Sequence, residues 1–142
     1  MRLTCLTFLC LIGFSALAAP ARATTDVTAI LVTASRQPGD SDRRLAPYEA
    51  TLRRILRFES FKFVGQDRGT VPDDGDTTLN VGAGQSLAIA PGDGNQLAVT
   101  WRQGGRPLMR TGLVLRPGVP AILGGPGTGT EGEVYAIIVT TR

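Results

Sequence analysis

Three aspartates in one short stretch are the residues of this chain best suited to bind a metal ion. Asp73, Asp74 and Asp76 surround a glycine in the run P-D-D-G-D. Calcium prefers oxygen ligands, and Asp93 and Asn95 of a second turn would add more of them. The spacing is not that of an EF-hand, which ends on a glutamate at its twelfth position. Aspartate also collects in exposed turns by bonding nearby backbone, so the pattern indicates a plain turn, with a calcium site as the chemical alternative.

The side chains on which most enzymes depend are missing from this chain. It contains no histidine, which excludes a Ser–His pair, an imidazole acid–base group and a His-ligated zinc. Lys62 is the single lysine, and it has no S-x-x-K arrangement around it. The remaining option is a paired-carboxylate hydrolase. Its candidate carboxylates are Asp73, Asp74, Asp76, Glu131 and Glu133. We therefore predict a protein that is not an enzyme and needs no cofactor, with such a hydrolase as the last alternative.

A basic helix face is the first candidate for a binding surface. Arg53, Arg54 and Arg57 fall on one side of the strongest helical pattern in the chain. Glu49 precedes Arg53 by one helical turn, so an ordinary ion pair and solvation account for the face. The alternative is a surface that docks on an acidic partner or on anionic lipid headgroups.

Trp101 is the second candidate, as a ligand-binding aromatic residue. Together with Tyr48 and Tyr135 it could form a platform for a sugar. A single tryptophan on an alternating strand is more often part of the core. The glycine-rich segment 124–132 lacks the Lys-Ser/Thr of a phosphate-binding loop, and a strand rather than a helix follows it. We interpret that segment as a loop which can contact a partner.

The first 23 residues have the pattern of a secretory signal peptide. Arg2 gives a positive start, residues 3–19 are apolar, and A-R-A ending at Ala23 has the form of a cleavage site. The alternatives are an earlier A-L-A site and an uncleaved anchor. Cleavage would remove both cysteines, so the exported domain would have no disulfide and no thiolate ligand. We predict an exported protein, periplasmic or extracellular, without a transmembrane segment after cleavage.

The charge of the exported domain argues against nucleic-acid binding. The whole chain carries a formal net charge of +3. Arg2 and Arg22 belong to the signal peptide, so 13 of the 15 basic residues remain against 12 acidic ones. A nearly neutral domain lacks the electrostatic signature of a nucleic-acid-binding protein. Residues 24–142 are long enough to bury a core of their own, and we expect a single domain.

One amphipathic helix is expected, over residues 45–58. Its apolar positions fall within about a quarter turn of one another at 100° per residue. They are Leu45, Tyr48, Leu52, Ile55 and Leu56. Pro47 suits a first helical turn, and after Arg57 the apolar period changes from 3.6 to 2, which indicates a strand.

Apolar runs separated by turns predict seven or eight short strands. Residues 26–35 and 133–141 are apolar on both faces, so we expect them as neighbours at the sheet centre, with the helix covering one side. Pro107 and Gly112 indicate an edge strand or a bulge. The predicted fold class is α+β: a mainly antiparallel sheet or sandwich with one packed helix.

The order of these segments resembles that of a known family. A signal peptide is followed by A-I-L-V-T-A-S, L-A-P-Y-E-A-T-L-R-R-I-L-R-F and F-K-F-V-G, and later by P-A-I-L-G-G-P and G-E-V-Y-A-I-I-V-T. The chain is similar in this to a family of small exported bacterial proteins of uncharacterised function. The resemblance covers most of residues 27–141. It implies export and α+β architecture, and it transfers no functional residues.

Export without catalytic equipment predicts a non-catalytic cell-envelope protein that binds or assembles with a protein partner. Strands with free edges and long glycine loops suit such contacts. The alternative function is a small module that binds a ligand, calcium or a carbohydrate. It would use the turn of Asp73, Asp74 and Asp76, or Trp101.

Overall fold

The computed structural model describes residues 24–141, so the predicted signal peptide at 1–23 lies outside the described residues. Eight strands, one α-helix and one short 3-10 helix make up this part of the chain. In chain order they are β1 (Thr25–Ser35), the 3-10 helix (Arg43–Leu45), α1 (Glu49–Leu56), β2 (Ser60–Val71), β3 (Thr77–Gly82), β4 (Gln85–Pro91), β5 (Leu97–Gln103), β6 (Arg106–Leu113), β7 (Ala121–Gly127) and β8 (Glu133–Thr141). No helix of residues 24–141 has the length and apolar character needed to cross a bilayer.

The strands form two four-stranded antiparallel sheets. Sheet 1 has the order β2-β1-β8-β7, and sheet 2 has the order β3-β4-β5-β6. The two sheets share one apolar core, and α1 packs on the other face of sheet 1. The expectation of a mainly antiparallel structure with about eight strands and one helix is confirmed, and the architecture is dominated by its sheets.

Strand β1 lies at the centre of sheet 1 because it is apolar on both faces. It pairs with β2 on one side and with β8 on the other. Ala29 and Leu31 face sheet 2, whereas Ile30 and Val32 face the helix. Burying both faces of a strand requires cover on both sides of the sheet. The prediction that the first and last strands are central neighbours is confirmed.

The helix is shorter than predicted, and of the five residues predicted for its buried face only Ile55 does not pack in the core. It spans Glu49–Leu56, and Arg57 ends it in the left-handed conformation at φ 56°. Leu45 is fully buried but belongs to the preceding 3-10 helix. A single helical wheel drawn from Leu45 onward therefore does not describe α1, because the chain breaks its helical path before Glu49. Leu52 is fully buried, whereas Ile55, which the wheel placed on the buried face, is 50% exposed.

A local ion pair fixes the entry into this helical segment. The carboxylate of Asp42 accepts hydrogen bonds from the backbone N–H of Arg44 at 3.0 Å and from its guanidinium at 2.7 Å. The side-chain hydrogen bond from Arg44 lowers the pKa of Asp42 to about 2. The guanidinium also lies 4.1 Å from the ring centroid of Phe63 on β2. The 3-10 helix is thereby connected to sheet 1.

One side of the sandwich is closed where β2 meets β3. A Cβ on Gly65 would lie within 2.2 Å of the carbonyl oxygen of Val81, so only glycine allows this approach. The carboxylate of Asp67 accepts a hydrogen bond from the backbone N–H of Asn80 at 2.9 Å. The hydroxyl of Thr77 donates to the carbonyl of Thr70 on β2 at 2.6 Å. Polar backbone groups at these two edges thus find partners within the chain.

Candidate functional site

The aspartates predicted to bind calcium lie in the connection between β2 and β3. Asp73, Asp74 and Asp76 are all exposed. Asp73 lines a shallow depression together with Asn95, as a two-turn site would require, but the other two aspartates do not line it. Within residues 24–141 no three Asp, Glu, His or Cys side chains come together in a group that could hold a metal ion. The three aspartates predicted to bind calcium are therefore not assembled into a ligand group in this part of the chain.

Trp101 belongs to the core between the sheets. Its side chain is 1% exposed, and its indole N–H donates to Oε1 of Gln85 at 2.7 Å. Gly125 of β7 lies against the ring, where a Cβ would come within 2.2 Å of it. A buried ring has no free face for a sugar, so the ligand interpretation of Trp101 does not fit the structure. The core interpretation does.

Arg53, Arg54 and Arg57 remain exposed on the helix side of sheet 1. The expected pair of Glu49 and Arg53 is confirmed, with 2.8 Å between carboxylate and guanidinium. Arg53 also lies 3.9 Å from the carboxylate of Glu59. One arginine of the predicted binding face is therefore occupied by neighbouring acids, and only the other two have charge available for a partner.

A polar recess, which the sequence pattern did not indicate, lies at one end of sheet 1. Thr33 and Ser35 continue the row of β1 residues that faces sheet 2, and they line a cavity of about 330 Å³. Lys62, Glu131 and Glu133 also line it. Two of the carboxylates considered for a hydrolase thus share one recess with the only lysine.

The wall of this polar recess is held by hydrogen bonds. The hydroxyl of Ser60, which is 7% exposed, donates to the carbonyl of Gln37 at 3.0 Å. The hydroxyl of Thr128 donates to Oε1 of Glu133 at 2.9 Å. The recess is therefore a formed feature with both donors and acceptors, suited to a small polar molecule.

The side of the sandwich opposite the β2–β3 contact is open. Strand β6 is the last strand of sheet 2 and pairs only with β5. A register irregularity lies opposite Arg102, beside Pro107, and confirms the prediction of an edge or a bulge. Beyond it, residues 109–113 pair regularly with β5 and leave their other edge without a strand partner. We call residues 109–113 the β6 edge.

Positive charge dominates this open side. Residues 94–130, which contain β5, β6 and β7, include no aspartate or glutamate. The four basic residues in this segment are all arginines: Arg102, Arg106, Arg110 and Arg116. All four are exposed, and within residues 24–141 none has a carboxylate within ion-pair distance, since the ion pairs there involve Arg44 and Arg53. Their charge is available to a partner.

Apolar side chains accompany these arginines. Leu108 at the bulge is 39% exposed, and Val114 and Val119 in the connection to β7 are 44% and 57% exposed. They make up three of the five large hydrophobic residues that are exposed among residues 24–141. A strand edge without a partner, exposed apolar residues and arginines without an ion pair therefore occur together on one side of the molecule.

Comparison with protein-family models, with curated proteins and with solved structures found no match for this chain. The resemblance to a family of small exported bacterial proteins stays a prediction. The functional argument therefore depends on the geometry and charge of the chain's own residues.

Proposed function

We propose that this chain is an exported, non-catalytic protein of the bacterial cell envelope that binds another protein through its open side. The observation that carries the proposal is the β6 edge, the free edge of a strand whose segment, residues 94–130, contains arginines and no acidic residue. Unpaired strand edges bind extended peptides by adding them to the sheet. Export rests on the signal-peptide pattern of residues 1–23.

Capture of the partner in its native envelope tests this function. Formaldehyde cross-linking followed by mild-detergent purification and mass spectrometry is suitable, because Lys62 is the only lysine for amine-specific reagents. The chain is purified through an affinity tag, and we expect one other protein to be recovered with it repeatedly, in a fixed ratio. Cells that produce the chain without the tag are the control and should yield neither protein. Repeated recovery of the chain alone, as a monomer, would contradict the proposal.

The polar recess supports a second candidate function, the binding of a small polar ligand. It offers one cation and several carboxylates and hydroxyls in about 330 Å³, which is the size range of small-molecule sites. A thermal-shift screen with glycans and calcium tests it. A ligand-induced rise in the melting temperature that is lost in Lys62→Met or Glu133→Gln would favour ligand binding. Hydrolysis of a ligand that is lost in Glu133→Gln would favour a hydrolase. A flat response in all cases would remove both.

A further inference from the structure

The β6 edge is the one strand edge of the two sheets that is both regular and open. The edges of β2 and β3 face each other, and polar groups of Asp67, Asn80 and Thr77 bridge them. Strand β7 is interrupted by a register shift between Gly124 and Gly127. It also contains Pro126, which has no N–H to offer to another strand.

Side chains alternate strictly along the β6 edge. Met109, Thr111 and Leu113 are half-buried, and the first and last of these pack against the core between the sheets. Arg110 and Gly112 are exposed on the other face. A strand added here would place every second side chain beside the apolar row and the others beside Arg110, because facing side chains on paired strands lie about 5 Å apart.

We infer that the β6 edge binds an extended segment in which apolar residues alternate with acidic ones. This inference rests on the proposed function and names the class of partner. The apolar residues of the segment would continue the row of Met109 and Leu113 over the open end of the core. Its carboxylates would face Arg110 and come near Arg102, which lies on the same face of β5. The sheet order would become β3-β4-β5-β6-partner.

A second copy of this chain is a poor occupant of the same edge. Pairing β6 with β6 would bring two arginine-bearing strands together, and like charges across a strand pair are destabilising. Residues 94–130 contain no acidic residue, and Asp93, which lines a depression together with Arg110, is the one carboxylate of that depression that could offset the repulsion. An acidic segment would instead be attracted, because its carboxylates are drawn to the arginines at long range and form ion pairs with them at contact.

A synthetic peptide tests the inference directly. The probe is an acetylated and amidated heptapeptide of alternating valine and glutamate, titrated into the purified protein in low salt. We expect it to bind and to slow hydrogen exchange at those backbone amides of residues 109–113 that point away from β5. A peptide of the same composition with its four valines in one block, and one with lysine in place of glutamate, should bind at least about tenfold more weakly.

Matched variants locate the site. Arg110→Glu should weaken binding of the alternating peptide by about tenfold or more, because it replaces attraction by repulsion. Arg54→Glu makes the same change of charge on α1, on the far side of sheet 1, and should leave the affinity within about twofold. Equal urea midpoints for the two variants and the parent protein would establish that both are folded.

Several results would overturn the inference. These are equal binding of the blocked peptide, peptide-induced protection that omits residues 109–113, and an equal loss of affinity in both variants. A dimer of the protein that protects residues 109–113 would assign the edge to a second copy instead. If Arg110→Glu captures the envelope partner in the same yield as the parent protein, the β6 inference fails and binding of a protein partner elsewhere on the chain stands. If no form of the chain captures a partner, the proposed function itself fails.

Discussion

Truncation of Leu52 is the most direct test of how the helix is held on sheet 1. Leu52 is fully buried in the cluster that joins α1 to β1, β2 and β8. Leu52→Ala removes three carbon atoms, and at about 0.8 kcal/mol for each the lost burial is about 2.4 kcal/mol. A residual cavity of about 40 Å³ would add about 1 kcal/mol. We therefore expect the free energy of unfolding to fall by about 3.5 kcal/mol.

Urea denaturation measures this change. With a slope of about 1.5–2 kcal/mol per molar urea for a domain of this size, the unfolding midpoint should fall by about 2 M. Fluorescence of Trp101, the only tryptophan of the chain, is a suitable signal. Trp101 is buried between the two sheets, in a different apolar cluster from that of Leu52. Its emission reports unfolding of the sandwich without contact with the mutated site.

Ile55→Ala is the matched control for this experiment. Ile55 lies on the same helix and is 50% exposed, so its truncation should cost less than about 1 kcal/mol. Equal midpoint shifts for Ile55→Ala and Leu52→Ala would refute the assignment of the buried face. An unchanged midpoint for Leu52→Ala would refute the packing of the helix on the sheet.

Two further predictions concern the β2–β3 contact and the entry to the helix. Gly65→Ala should destabilise the protein by about 1–3 kcal/mol, since its Cβ would meet the backbone oxygen of Val81. Gly39→Ala is the control: its Cβ would meet only the side chain of Ser60, at an ordinary contact distance of 3.9 Å, and should leave the urea midpoint nearly unchanged. The pKa of Asp42 is lowered from 3.8 to about 2 by its hydrogen bond with Arg44, so its contribution to stability is present above about pH 3.8 and is lost as the pH falls through about 2. In Asp42→Asn the urea midpoint should therefore fall less between about pH 4.5 and pH 2 than in the parent protein. An equal fall in both proteins would contradict the ion pair.

Local patterns in the sequence predicted much of the fold correctly. The apolar residues on both faces of the first and last strands identified the two central strands, because only a sheet covered on both sides buries both faces. The spacing of Glu49 and Arg53 predicted their ion pair, since residues four apart meet on a helix. The start of the helix could not be read in this way. The chain leaves its helical path before Glu49, and a wheel drawn through that break assigned Ile55 to the wrong face.

The candidate sites were harder to predict, because they depend on residues distant in the chain. Whether Trp101 is a binding surface or part of the core depended on Gly125, which lies against its ring, and on Gln85, which accepts its N–H. The absence of acidic residues from 94–130 was readable in the sequence, but only the strand order shows that β6, within this segment, is an edge.

The sequence by itself determined the strand-rich composition, the two central strands and the lack of histidine chemistry. These features follow from residue types and from the short periods of strands and helices, which are local properties. The tertiary structure alone decided that the aspartates of the β2–β3 turn form no cluster, that the polar recess exists, and that one side of the sandwich is closed and the other open. Those features depend on which distant segments meet, and a pairing between strands far apart in the chain leaves no periodic signal in either of them.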